Sequence, residues 1–468
     1  MPTRQDQLHS YQFMVQRVVA ALVMHDTDPP QSPWRRHAGA TLAGALVAAL
    51  ALGAVAAHAM LTGRGDPGWR DGGVVVVERE SGARYVYRDG RLHPVVNHTS
   101  ALLIIGSAST RTVHVPRAEL ADVPRGAPLG IPDAPDPLPD AERLVGPPWT
   151  LCSGLSDDGQ GGVRPESVLF VGADPGGGAA LTDEAVLLRH PDGSVHLVWR
   201  GRRHLVRDPS VVLPALGWSG RQPTPAAPAF LNALPAGADL ARIPLDGRGT
   251  RSAAVPDARI GEVYVVEGQG GGRQHVVVVR DGLAVVTQVQ ADLIIGDPLT
   301  ASLVGQVDVE PMSPGRYALL PKVGELLPAG ELSPPAVTPT LVPAGDGVCA
   351  VFRDAEGMAE VRAAVAVPET EAPRTGSRTG GGAVLADRVV VPPGRGAVVE
   401  AMASQGAGAG TLSVVTDLGL RYEVPGPDVL ATLGLGDAAP VRLPTSLVAL
   451  LPAGRALDPV AARSPVSR

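Results

Sequence analysis

Lysine is all but missing from this chain of 468 residues: Lys322 is the single one, and arginine carries the rest of the positive charge. A phosphate-cradling loop of the form G-x-x-x-x-G-K-[ST] is absent, because Lys322 sits in LPKVGE without that context. Aromatic residues make up 3% and the net charge is −7, which argues against base-stacking platforms and against a basic field for nucleic acid. There is no G-x-S-x-G elbow, and Ser153 and Ser156 have no identifiable base nearby. The eleven histidines are scattered without helix-borne zinc spacing. Asp157, Asp158 and Glu166 read as solvated loop charge. No catalytic, cofactor or metal residue is therefore expected. Cysteine is limited to Cys152 and Cys349. If both lie in an oxidising compartment they are a candidate disulfide; two separate buried thiols are the alternative.

What is present begins with a long apolar run. Residues 38–61, AGATLAGALVAALALGAVAAHAML, contain no Asp, Glu, Lys or Arg. At about 1.5 Å per helical residue the run spans roughly 36 Å, enough to cross a ~30 Å hydrocarbon core. A cleaved signal peptide is a second reading, since Ala57-His58-Ala59 resembles a cleavage site, but the 37 preceding residues are too many for an ordinary leader. A buried helix of a soluble domain is the third. Arg35 and Arg36 abut the N-terminal end, whereas Arg64 on the far side is diluted by Asp66 and Asp71. The positive-inside rule then puts the N-terminus in the cytoplasm and the large C-terminal part outside the plasma membrane.

Before the run, residues 3–24 read as an amphipathic helix with Leu8, Tyr11, Val15, Val18 and Leu22 on one stripe, stopped by Asp26, Asp28, Pro29 and Pro30. Such a helix needs a partner or a membrane surface. After the run, a pattern of strands, a short apolar helix ending in glycine, and a Pro-x-Gly turn recurs four times. Its helices are SALLIIGS (100–107), VVLPALGW (211–218), ADLIIGD (291–297) and DVLATLGLGD (428–437). Its turns are VPRGAPLGIP (123–132), LPAGADLARIP (234–244), LPAGELSP (327–334) and LPAGRALDP (451–459), with an insertion at 298–323 in the third unit. Glycine at each helix end is expected in the left-handed conformation. Asp89-Gly90 between apolar runs predicts a hairpin. Glycine-rich EGQGGGR (267–273) and QGAGAG (405–410) also read as hairpin loops, and 369–382 as the most flexible loop of the outer part.

QLHSYQFMVQRVVAALVMHDTDP (7–29), HPVVNHTSALLIIG (93–106), GIPDAPDPLP (130–139) followed by WTLC (149–152), DRVVVPPGRGAVV (387–399) and VTDLGLRYEVP (415–425) together resemble the EccB family of actinobacterial type VII (ESX) secretion systems. The resemblance runs over essentially the whole chain. It implies a membrane-anchored α+β protein. One N-terminal transmembrane helix precedes an extracytoplasmic body of four small strand-helix repeat domains, similar to a phage-lysin cell-wall-binding fold, around a central β domain with a Cys152–Cys349 disulfide. The division is 1–36 cytoplasmic helix and basic flank, 37–62 transmembrane helix, 63–73 linker, 74–146 repeat 1, 147–180 central part A, 181–257 repeat 2, 258–342 repeat 3, 343–382 central part B and loop, 383–463 repeat 4 and 464–468 tail. The function implied is a scaffold subunit assembled with EccC, EccD and EccE types, self-associating, in contact with the cell envelope and with peptidoglycan as a further candidate partner. Some members of the family are called ATPases, so an ATP-hydrolysing subunit is the alternative, with ATP as its cofactor. A membrane-anchored cell-wall-binding protein is another.

Overall fold

The structure is a computed structural model that describes all residues except 1–2, 26–32, 63–66, 137, 158, 328–329, 331 and 467–468. The expected helix stop at residues 26–30 and Arg64 lie outside these. Helix α1 (Arg4–Met24) starts at Thr3, whose backbone amide donates to Asp6 at 3.0 Å. Helix α2 (Pro33–Thr62) follows, and its stretch Ala38–Ala57 is apolar and buries nothing against the rest of the chain. The stripe on α1 is broader than predicted. Phe13 and Val23 are exposed as well, on other faces than Leu8 and Leu22, so the helix is apolar around much of its girth.

Four small sheets follow one plan. In the first, Val74–Glu78, Arg84–Arg88 and Arg91–Pro94 form an antiparallel meander. The predicted turn is there, with Asp89 at φ 50° and Gly90 at φ 74°, the twist that joins tightly paired strands. Helix His98–Ile105 then crosses over, capped by the Asn97 side chain on the Ser100 amide. Strand Arg111–Val115 returns parallel to Val74–Glu78. The chain finally lays Arg125 and Leu129 alongside Leu92 and Val95, covering the other edge of the meander. The second sheet (Ala185–Arg189, Val195–Trp199, Arg202–Val206, Thr224–Pro225) and the fourth (Ala397–Met402, Thr411–Val415, Arg421–Glu423, Val441–Pro444) repeat that order.

The third sheet corrects one expectation. Its edge is closed by Lys322–Glu325 beside Gly282–Val286, so the segment that fills the Pro turn's place in this unit is 320–324; of the expected 327–334, residues 328–329 and 331 lie outside the described residues. The Leu283 amide donates to the Pro321 carbonyl as Leu92, Arg203 and Arg421 do to Pro124, Pro235 and Pro452. Residues 298–323 are therefore not all insertion; the added element is helix Pro298–Leu303. A second correction concerns helix ends. Gly106, Gly217 and Gly434 have φ of 73°, 72° and 80°, but Gly296 has φ −70°. Gly296 is needed for space: a Cβ there would lie 2.2 Å from that of Ala215, where helices Pro209–Ala215 and Gln288–Ile295 meet.

Shared cores join the sheets in pairs. Leu103 and Ile104 pack with Leu430 and Leu433, joining the first sheet to the fourth. Val212 and Leu216 pack with Val289 and Leu293, joining the second to the third. A six-stranded sheet links the pairs, in the order 388–390, 163–170, 149–157, 347–352, 360–363, 179–180. Trp149, Leu151 and Ala350 line the face packed on Phe230 of the second unit and Leu447 of the fourth. Leu151, Phe230 and Leu447, fully buried, each stabilise by about 1.5–3 kcal/mol. Strand Arg388–Val390 belongs to this sheet, a departure from the expectation that 383–463 is all fourth repeat.

Candidate interaction surfaces

Alternation sends Cys152, Val168, Phe170 and Cys349 to the opposite face of the six-stranded sheet. Cys152 stands directly across from Cys349, and the two are joined by a disulfide with Cα atoms 4.0 Å apart. The bridge spans 197 positions, and a chain-entropy treatment gives a loop of that size roughly 5 kcal/mol. It fastens the strand before the second small sheet to the strand after the third.

Polar groups around the bridge pin the outer segments. Asp387 is buried and accepts from the Ser167 amide (2.8 Å), the Ser167 hydroxyl (2.6 Å) and the Ser377 hydroxyl (2.7 Å). Thr375 donates to the Ala386 carbonyl at 2.6 Å. Residues 369–382 are thus folded back on the sheet, in contrast to the flexible loop expected from composition. Glu166 is not loop charge either: it is 11% exposed and faces Arg374 at 2.9 Å, Arg388 at 3.3 Å and Arg164 at 3.7 Å. Asp157 is exposed, and Asp158 lies outside the described residues. Ser153 has a structural role, accepting from the Ala227 amide at 2.9 Å.

Both glycine-rich segments spend amides within the chain. The Gly406 amide donates to the Glu356 carboxylate at 3.1 and 3.3 Å, and Gln405 holds the Glu356 carbonyl at 2.9 Å. Gly268 donates to Gly272 at 2.9 Å, closing the other loop on itself. Among the described residues no three His, Cys, Asp or Glu side chains converge as a metal site would require. Lys322 donates to the Ala318 carbonyl at 3.0 Å and lies 4.6 Å over the Tyr317 ring.

Apolar surface concentrates on the third unit, which sequence reading did not single out. Leu299, Leu303, Val307, Leu319, Val323, Leu332 and Val337 are all exposed. A cavity of about 650 Å³ opens between the second and third units, walled by Trp199, Ile243, Leu293 and Pro335. Exposed apolar patches and concave apolar walls are features of contact surfaces. Below them Asp297 is 2% exposed; burial works to raise its carboxyl, but Arg242 (2.6 Å), the Leu299 amide (2.9 Å) and Arg248 (3.0 Å) hold it below the ordinary aspartate value.

A family profile described as "Type VII secretion system ESX-1, transport TM domain B" matches residues 1–466. The chain is 29% identical to a Mycolicibacterium smegmatis protein named ESX-3 secretion system ATPase EccB3, covering 97% of this chain and 88% of that one. It is 31% identical to ESX-2 secretion system ATPase EccB2 of Mycobacterium tuberculosis, over 82% and 80%. Among solved structures it is similar to an EccB3 dimer from the ESX-3 core complex, with TM-score 0.62 and 29% identity, covering 83% of this chain and 99% of that one. A chain of an intact ESX-5 inner membrane complex shares the fold, with TM-score 0.64 and 24% identity over 100% and 96%. Matched from residue 1 to residue 466 by that profile and aligned nearly throughout with EccB proteins, this chain belongs to the EccB family of type VII secretion systems.

Proposed function

We propose that the chain is a scaffold subunit of an ESX inner-membrane complex. Helix α2 crosses the plasma membrane once, with α1 on the cytoplasmic side and the body outside. The body is read as four repeat domains around a central β domain, each small sheet being one repeat. The observation that carries this reading is the attachment of an unburied apolar helix to a body braced by a buried disulfide across 197 positions. Such a molecule transmits position across a bilayer. The exposed apolar side chains of α1 suit docking on EccC-, EccD- or EccE-type subunits, and those of the third unit suit a second copy of this chain. Binding and positioning are its mechanism, with no covalent chemistry.

The relatives carry ATPase in their names. Against a nucleotide site in this chain stand the occupied amide of Gly406 and the self-closed loop at 268–272. Peptidoglycan contact is compatible with the scaffold reading. Tagged full-length chain, extracted from membranes in mild detergent, is expected to bring down a multi-subunit assembly; recovery of this chain alone would sink the proposal.

A further inference from the structure

The first small sheet is charge-polarised along its strands. Val74 pairs with Arg111, Val75 with Val86, and Leu92 with Arg125. The start of the first strand, the turn at 88–91, the start of the returning strand and the covering segment therefore lie at one end. Arg88, Arg91, Arg111 and Arg125 spring from there, and all are exposed; the Arg125 guanidinium lies 4.6 Å over the Tyr85 ring. Arg70 joins them just before the first strand, 5.0 Å over the Trp69 ring. Acids at this end are Asp71, Asp89 and, two residues before Pro124, the exposed Asp122; Asp89 is 3.4 Å from Arg88. The opposite end is balanced: Glu78 and Glu80 hold Arg117 by its guanidinium and its amide, Arg84 pairs with Asp136 at 2.9 Å, and Arg79 is exposed.

The arginine end is also the end nearest the membrane helix. Residues Pro67–Asp71 form a 3₁₀ turn, and Trp69 is buried edge-on against Tyr87, with centroids 5.5 Å apart. Only residues 63–66 separate Thr62 from Pro67, a covalent reach of no more than about 18 Å. Trp69 thus bolts this end of the sheet close to where α2 ends. Folded parts of this length cross a membrane regardless of their arginines, so the cluster does not oppose the orientation given above.

We propose that this end of the first sheet binds the anionic phospholipid headgroups of the bilayer that α2 crosses, fixing the tilt of the body on the membrane. The inference rests on the reading of α2 as membrane-spanning. Guanidinium groups suit phosphate, being planar with several donors each. The attraction is confined to about 10 Å at 0.1 M salt, so it needs the short tether that Trp69 provides.

The test uses full-length chain reconstituted in vesicles of phosphatidylcholine, with or without phosphatidylglycerol. A fluorophore is placed on Ser109→Cys, at the arginine end, or on Ser81→Cys, at the opposite end, without reductant so that the native bridge stays closed. A quencher carried on lipid headgroups is expected to act more strongly on the Ser109 site. The excess should require phosphatidylglycerol and fall with sodium chloride. Substituting Arg88, Arg91, Arg111 and Arg125 by Gln should lower headgroup binding by up to about fivefold per arginine. Asp71→Asn with Asp89→Asn, which leaves every arginine in place, should raise it. Equal quenching at the two ends, or an excess indifferent to anionic lipid, salt and these substitutions, would overturn the inference. So would loss of the excess in sodium phosphate but not in chloride of equal ionic strength, the mark of a free-anion pocket. Alkaline carbonate extraction of the same vesicles reads α2 separately. A chain that washes out removes the membrane-spanning reading and this inference with it; a chain retained without end-to-end asymmetry removes only this inference.

Discussion

The second and third small sheets pack on each other and share a topology, but they are held closed by different means. In the second, Arg203 pairs with Ala236, and the His204 ring lies over Gly237 so closely that a Cβ there would be 2.2 Å from the ring. The His204 Nδ1 bonds the Ala238 carbonyl at 2.8 Å. The first sheet does the same with His93 over Gly126, and the fourth with Tyr422 over Gly454. In the third, Ala284 takes the ring's place, Val323 adds one residue, and the register shifts. Polar clamps stand in. Gln306 accepts from the Val263 amide and donates to the Val263 carbonyl, both at 2.8 Å, as a neighbouring strand would. Asp297 ties residues 242 and 248 of the connecting segment to helix Pro298–Leu303. The contrast teaches that the plan tolerates either a steric lock or a buried polar one, with different ways of failing.

The largest break should come from Asp297→Asn. It leaves the nearly buried Arg248 without its carboxylate, and about 3–5 kcal/mol should be lost. Hydrogen exchange read by mass spectrometry should show third-sheet amides opening first; uniform protection would mean the clamp is incidental. Next comes Gly237→Ala, expected to cost about 1–3 kcal/mol by overpacking against His204. Adding His204→Ala should recover part of that loss in a double-mutant cycle, and strict additivity would deny the steric lock.

The smallest effect concerns pH. His204 is fully buried; burial lowers its pKa, partly opposed by its bond to the Ala238 carbonyl. The folded protein therefore binds the proton less readily than the unfolded chain. The stability His204 contributes is complete above the unfolded value of about 6.5 and declines as pH falls below it toward the folded value. His204→Tyr, which places the fourth sheet's kind of ring in the second, should flatten that part of the acid dependence of the melting temperature. An unchanged slope between wild type and variant would assign the acid loss elsewhere.

Much of this was legible in the chain because its causes are local. Asp89-Gly90 and the glycines after three of the helices are read from backbone preferences that neighbouring residues set. Other features answer to partners far away. Nothing adjacent to Gly296 says that it must leave room for Ala215, and nothing near 369–382 says that Glu166 will hold that segment down. The LPAG at 327 matched the turn motif of its siblings better than LPKVG at 320 does, yet register with Gly282–Val286 selected the latter.

By itself, then, the sequence determined the apolar helix, the strands with their turns, and the recurring order of elements, since periodicity and chain length settle these within a few residues. Tertiary structure decided which sheets share a core, which lone carboxylate becomes a hub, and that five arginines spread over residues 70–125 meet at one end of one sheet. The physical reason is that edge pairing and desolvation depend on groups brought together only by the fold, as Cys152 and Cys349 are across 197 positions.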